Sequence, residues 1–127
     1  VNTLDYLKKG GRITPAAALL GGMLKIKPIL QIQGEKLDSF AKTRTMARGT
    51  KIMKEAIAKD IKERFDDDYH NVHICVAYTY DEAPALELKK ELEELYPSEN
   101  IICDPLSLSV SCHIGPHSLA IAICKKI

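Results

Sequence analysis

The longest helical pattern runs from Thr45 to Phe65. Met46, Thr50, Met53, Ile57, Ile61 and Phe65 recur mostly four apart, Ile52 and Ala56 widen the stripe, and lysines and glutamates fill the opposite face. Asp66-Asp67-Asp68 closes it, since three acids suit the end of a helix dipole poorly. Ala85, Leu88, Leu92 and Leu95 predict a second helix over 82–96, capped by Asp81, with Pro84 in its first turn and Pro97 as its stop. Between the two lies VHICVAYTY, Val72–Tyr80, β-branched and aromatic and free of Gly and Pro, which reads as a central strand covered on both faces. Ile29–Ile32 and Lys36–Phe40 flank Gln33-Gly34-Glu35 and predict a hairpin. Ile101–Cys103 and Ser118–Cys124 are further strands, Leu106–Cys112 is a short helix or a loop, and Thr3–Lys9 is a short helix with Leu4 and Leu7 on one side. The pattern specifies an α/β fold bordering on α+β. It predicts a single domain, 1–127, whose one mixed β-sheet holds the hairpin 29–40 and the strands near 72–80 and 118–124, with the helices packed on it.

The segment from Gly10 to Leu30 breaks this regularity. Gly10-Gly11 stops the first helix, so Arg12 follows a backbone turn and can point into a cleft. Thr14-Pro15 supplies a cap and a first helical position for a small apolar stretch. Gly21-Gly22 permits close approach of backbone or ligand, and Lys27-Pro28 forces an extended entry into the hairpin. Thr43 or Thr45 can cap the long helix.

Composition narrows the classes. The chain has 127 residues, 46% hydrophobic and 28% charged, with a net charge of +1. That is an ordinary globular domain, and no global field advertises nucleic acid. No apolar run reaches the roughly 20 residues that span a membrane. A signal peptide is not recognisable, and a start at Val1 in mid-helix pattern suggests a fragment or a processed chain. Cys75, Cys103, Cys112 and Cys124 form no C-x-x-C pair, so the chain reads as cytoplasmic with reduced thiols.

Several residues can carry chemistry. His113 precedes Gly115-Pro116, so a stiff loop beside a strand start would hold it, either bonded to backbone or free to donate to a carboxylate or acyl-phosphate oxygen. His113 and His117 are four apart, but Gly115-Pro116 breaks any helix between them and no third ligand is evident, so no metal is expected. Arg12 is either a surface salt-bridge partner or a bidentate grip on carboxylate or phosphate. Lys42, Arg44 and Arg48 collect at the start of the long helix, where cations oppose the dipole. They read as a solvated helix start or as a used surface, and the lack of an aromatic platform argues against nucleic acid. Ala17, Leu20, Gly21 and Met23 either pack an ordinary helix or wall a narrow apolar tunnel.

The order GGRI, a small apolar helix, IKPIL, a hairpin, KTRT and a distant HIGP resembles the C-terminal half of the DegV-like bacterial fatty-acid-binding proteins, over roughly Asn2 to Ile123. The resemblance implies a mixed sheet with helices packed on it. It also implies a lipid carrier, not an enzyme, that holds a long-chain fatty acid with its tail buried and needs no cofactor. An ATP-dependent kinase of dihydroxyacetone-kinase type would convert the bound acid to an acyl phosphate for phospholipid synthesis. Arg12 and His113 would stand at the head group and open onto one cleft, Ala17, Leu20, Gly21 and Met23 would line the tunnel, and Lys42, Arg44 and Arg48 would face the kinase or, transiently, a membrane. The family's N-terminal domain, whose serine and threonine hold the carboxylate, is absent from this chain. Family members usually carry Gly where this chain has His117. Two other readings stand beside this one: a ligand-free interaction domain, and a small hydrolase or transferase with His113 as general base.

Overall fold

The computed structural model describes residues 1–11, 26–33 and 36–127. Arg12, Ala17, Leu20, Gly21 and Met23, with the helix start at Thr14-Pro15, lie outside them. The described elements are α1 (Asp5–Lys9), β1 (Lys27–Gln33), β2 (Lys36–Thr43), α2 (Met46–Arg64), a 3-10 turn (Tyr69–Asn71), β3 (Val72–Tyr78), α3 (Ala83–Leu95), β4 (Ile102–Pro105), α4 (Leu108–Ile114) and β5 (Leu119–Lys125).

The periodic segments fold as their spacing dictates. In α2, Thr45 is the cap, accepting from the Arg48 amide, while Thr43 is buried and donates to the Thr45 carbonyl. In α3, Asp81 accepts from the Ala83 amide and Pro84 sits in the first turn, where its missing N–H costs nothing. β3 lies in the middle of a three-stranded mixed sheet, parallel to β4 and antiparallel to β5. Ile57 and Ile61 of α2, and Ala85, Leu88 and Leu92 of α3, cover Val72, Ile74 and Val76, and Tyr96 and Ile101 complete the core. Burying such side chains at about 1.5–3 kcal/mol each is what holds the layers together.

Two expectations are corrected here. The hairpin does not join the main sheet: among the described residues β1 and β2 pair only with each other. Both edges of β3 are already taken, and β2 runs almost directly into α2, so the hairpin lies along that helix instead. A bulge bends it too, because Ile29 faces Ala41 while Leu30 faces Ser39, leaving Phe40 as the extra residue. Nor is β3 covered on both faces. Val72, Ile74 and Val76 are buried, whereas His73 is exposed and Cys75 and Ala77 are half-buried. Their neighbours across the antiparallel ladder, Ala120, Ala122 and Cys124, are small as well. An antiparallel partner permits one wet face, and the long apolar run concealed this alternation.

Candidate functional site

The site elements meet at the end of the sheet where β3 finishes and β5 begins. β3 is followed by Thr79, 3% exposed, and β5 is preceded by Ser118, 1% exposed. The Thr79 hydroxyl donates to the Gly115 carbonyl at 2.6 Å and accepts from the Ser118 amide at 3.0 Å, and the Thr79 amide donates to the Ser118 carbonyl at 3.1 Å. The Ser118 hydroxyl lies 3.3 Å from the Ile114 carbonyl and 3.4 Å from that of Gly115. These bonds fasten both ends of the Gly115–Ser118 turn to the sheet, in a buried place where an unpaired polar group would be costly.

His113 is not on a loop, as its Gly-Pro neighbourhood predicted, but in the last turn of α4. Ser107 caps that helix by accepting from the Val110 amide, and Gly115 ends it at φ 79°, a conformation open to glycine and strained for other residues. The His113 ring rests on the main chain of Gly10: a Cβ placed there would stand 2.7 Å from Nδ1. Reciprocally, a Cβ on Gly115 would stand 2.5 Å from the Tyr6 ring. Helices α1 and α4 therefore end against one another.

On the other side of the turn, Tyr80 and His117 both take left-handed backbone, with φ 69° and 58°, and their rings meet edge to face at 4.8 Å. This is strain of about 1–3 kcal/mol per residue, of the kind that surrounding structure must hold in place. His117 also borders a cavity of about 190 Å³, lined with it by Met46, Asp81, Pro84, Ser118 and Leu119. Met46 opens α2, so the turn and the basic segment share one end of the molecule. Lys42, Arg44 and Arg48 are all exposed, and none forms an ion pair among the described residues.

His113 is half-buried. Among the described residues it makes no hydrogen bond to a hydroxyl, thiol or carboxylate, and no group of His, Cys, Asp and Glu could hold a metal. The thiols of Cys75 and Cys103 are pushed up, in both cases chiefly by burial, which disfavours the reactive thiolate. All four cysteines are free, and among the described residues no helix is long and apolar enough to cross a membrane.

The family profile described as "Uncharacterised protein, DegV family" matches residues 1–126. The chain belongs to the DegV family. A DegV domain-containing protein of Clostridium acetobutylicum is 37% identical over 121 residues, which cover 95% of this chain and 40% of that protein. DegV of Bacillus subtilis, solved as a fatty acid binding protein, superposes with a TM-score of 0.79 at 27% identity, over 99% of this chain and 43% of its own. A DegV family protein of Streptococcus agalactiae gives a TM-score of 0.83 at 24% identity, over 100% of this chain and 43% of its own, and shows the same fold. This DegV chain thus spans about two-fifths of the length of the relatives it matches.

His113 stands out in the sequence, whereas Tyr6, Thr79 and Ser118 around the neighbouring turn do not, because Tyr6 reads as one face of a short helix and the other two as strand ends. Gly10-Gly11 was the available signal, since a glycine pair can serve close approach as well as a helix stop.

Proposed function

We propose that this chain is the part of a cytoplasmic DegV-family carrier that receives a long-chain fatty acid and presents its carboxylate for ATP-dependent phosphorylation by a separate kinase of dihydroxyacetone-kinase type, the acyl phosphate then feeding phospholipid synthesis. Arg12 and His113 converge on the head group, Ala17, Leu20, Gly21 and Met23 line the tail, and Lys42, Arg44 and Arg48 face the kinase or, transiently, an anionic membrane. The observation that carries this reading is the His113 ring on Gly10. Arg12 follows Gly10 by two residues in the sequence. A carboxylate needs converging donors, the role this reading gives to Arg12 and His113 together. Fatty-acid binding by Bacillus subtilis DegV supports the ligand class.

Tail burial supplies the affinity, at about 0.8 kcal/mol per methylene and on the order of 10 kcal/mol for a long chain before the costs of binding. The exposed Ile32 and Phe40 on the hairpin, close in sequence to Lys42 and Arg44, support contact with a lipid surface. Carrying needs no chemistry from this chain. The test is extraction of lipid from purified full-length protein, read by mass spectrometry, with stearate titration of the stripped protein. A fatty acid recovered in stoichiometric amount and saturable stearate binding are expected. A lipid-free protein that takes up no stearate would reject the reading.

A further inference from the structure

The contact between α1 and α4 has an unusual form: each helix ends in a glycine, and each glycine receives a ring from the other helix. Gly10 closes α1 and receives His113, and Gly115 closes α4 and receives Tyr6. Neither glycine can grow a Cβ without collision, so both approaches are tight. The two pairs are geometrically linked. Tyr6 and Gly10 are four apart and share a face of α1, joined by the bond from the Gly10 amide to the Tyr6 carbonyl. His113 and Gly115 lie two apart in the closing turn of α4, where the Gly115 amide donates to the Ser111 carbonyl. A rotation of α4 that lifts Gly115 off the Tyr6 ring must also lift His113 off Gly10. Leu7, 2% exposed, and Leu4, 8% exposed, anchor α1 in the interior, so the surface that receives the two contacts is itself fixed.

We propose that Tyr6 and Gly10 are positioning residues for His113. The Tyr6 ring sets the rotation of the last turn of α4, and the bare Gly10 backbone is the seat on which the imidazole comes to rest, facing the site of the ligand carboxylate. The carboxylate part of this statement rests on the proposed head-group role. The seating of His113 does not. The part of Tyr6 that matters is its flat ring, not its hydroxyl, because the ring is what meets Gly115.

The experiment is NMR of the full-length protein, following the His113 Cε1–H resonance with and without stearate, in Tyr6→Phe, Tyr6→Leu and Gly10→Ala, alongside thermal unfolding. Tyr6→Phe should reproduce the wild-type resonance. Tyr6→Leu should shift that resonance in the ligand-free protein and weaken stearate binding by up to about tenfold, the worth of one misdirected bond to a charged group. Gly10→Ala keeps the observed backbone at φ −80°, which alanine tolerates, so the fold should persist while the imidazole is pushed aside and its resonance moves. A merely structural Tyr6 would lower the melting temperature and leave the His113 resonance of the folded protein unmoved, and that result overturns the proposal. A wild-type resonance in Gly10→Ala overturns it equally, and does so even if Tyr6→Leu fails to fold. If stearate leaves the wild-type His113 resonance unmoved, the head-group reading fails, while the ligand-free spectra of the variants still decide the seating.

Discussion

Thr79→Val tests the polar knot beneath the site with little change of shape. Valine fills nearly the volume of threonine, so no cavity term enters. What is lost is a hydroxyl that donates to Gly115 at 2.6 Å and accepts from the Ser118 amide at 3.0 Å, all at buried residues. Each neutral bond is worth about 1 kcal/mol net, and a stranded buried amide adds about 1–3 kcal/mol. The Gly115 carbonyl is partly rescued because the Ser118 hydroxyl remains within 3.4 Å. The expected cost is therefore about 2–4 kcal/mol. Thr79→Ser is the control: it keeps both bonds and loses one buried methyl, at about 1 kcal/mol. Urea unfolding should show a lower midpoint for Thr79→Val with an unchanged slope, and a smaller drop for Thr79→Ser. If the valine variant is as stable as the serine variant, the knot does not hold the turn, and the tethering of Gly115 to the sheet loses its energetic basis.

Three further outcomes are expected. In full-length protein His113→Ala and Arg12→Ala should still bind stearate, with affinity lowered about ten- to a hundredfold, since about 1.5–3 kcal/mol is lost against a tail term of order 10. Both should cut acyl-phosphate formation with kinase and ATP by about a hundredfold, and Arg12→Lys should not restore it fully for want of the bidentate fork. The Glu99 carboxylate lies between Lys126 at 2.7 Å and His70 at 3.0 Å, and those bonds, Lys126 first, hold it below its ordinary value of 4.5. A depressed carboxylate stabilises the fold above its unfolded-state value, so the stability advantage over Glu99→Gln should be full at neutral pH and fade as pH falls below 4.5, read by thermal melts across pH. Charge reversal at Lys42, Arg44 and Arg48 should leave stearate binding intact but weaken association with anionic vesicles, at about 1 kcal/mol per residue near the surface, and a vesicle co-sedimentation equal to wild type would remove the membrane from their role.

The helices were legible because burial has the same period as the α-helix. Ile57 and Ile61, or Leu88 and Leu92, can serve only one face, and the structure buries that face. The sheet was less legible. Strand existence shows in a run such as Val72–Tyr78, but pairing depends on which partners occupy its edges, and a local pattern does not encode that. The apolar run also hid a real alternation, because Cys75 and Ala77 count as apolar while filling a half-open face. His113 shows a different limit. Gly115-Pro116 suggested a stiff loop, whereas Ser107, three residues before Val110, already offered a cap from which a helix could run into that glycine.

The site was legible only where one residue type carries a chemistry. An imidazole or a guanidinium stands out in a sequence, but the groups that aim it are ordinary: a tyrosine ring, a glycine backbone and a threonine hydroxyl from separate stretches of the chain. Their meaning depends on contact across the fold, which neither periodicity nor composition reports. Position 117 makes the same argument from the opposite direction. A histidine at φ 58° looks like an error where glycine is the easy choice. It can persist because the next residue, Ser118, is bonded through both its amide and its carbonyl to Thr79, and because the Tyr80 ring covers its own. The left-handed backbone at His117 and the fastening of Gly115, where α4 ends, thus both depend on one set of buried bonds, acting on opposite sides of the same turn.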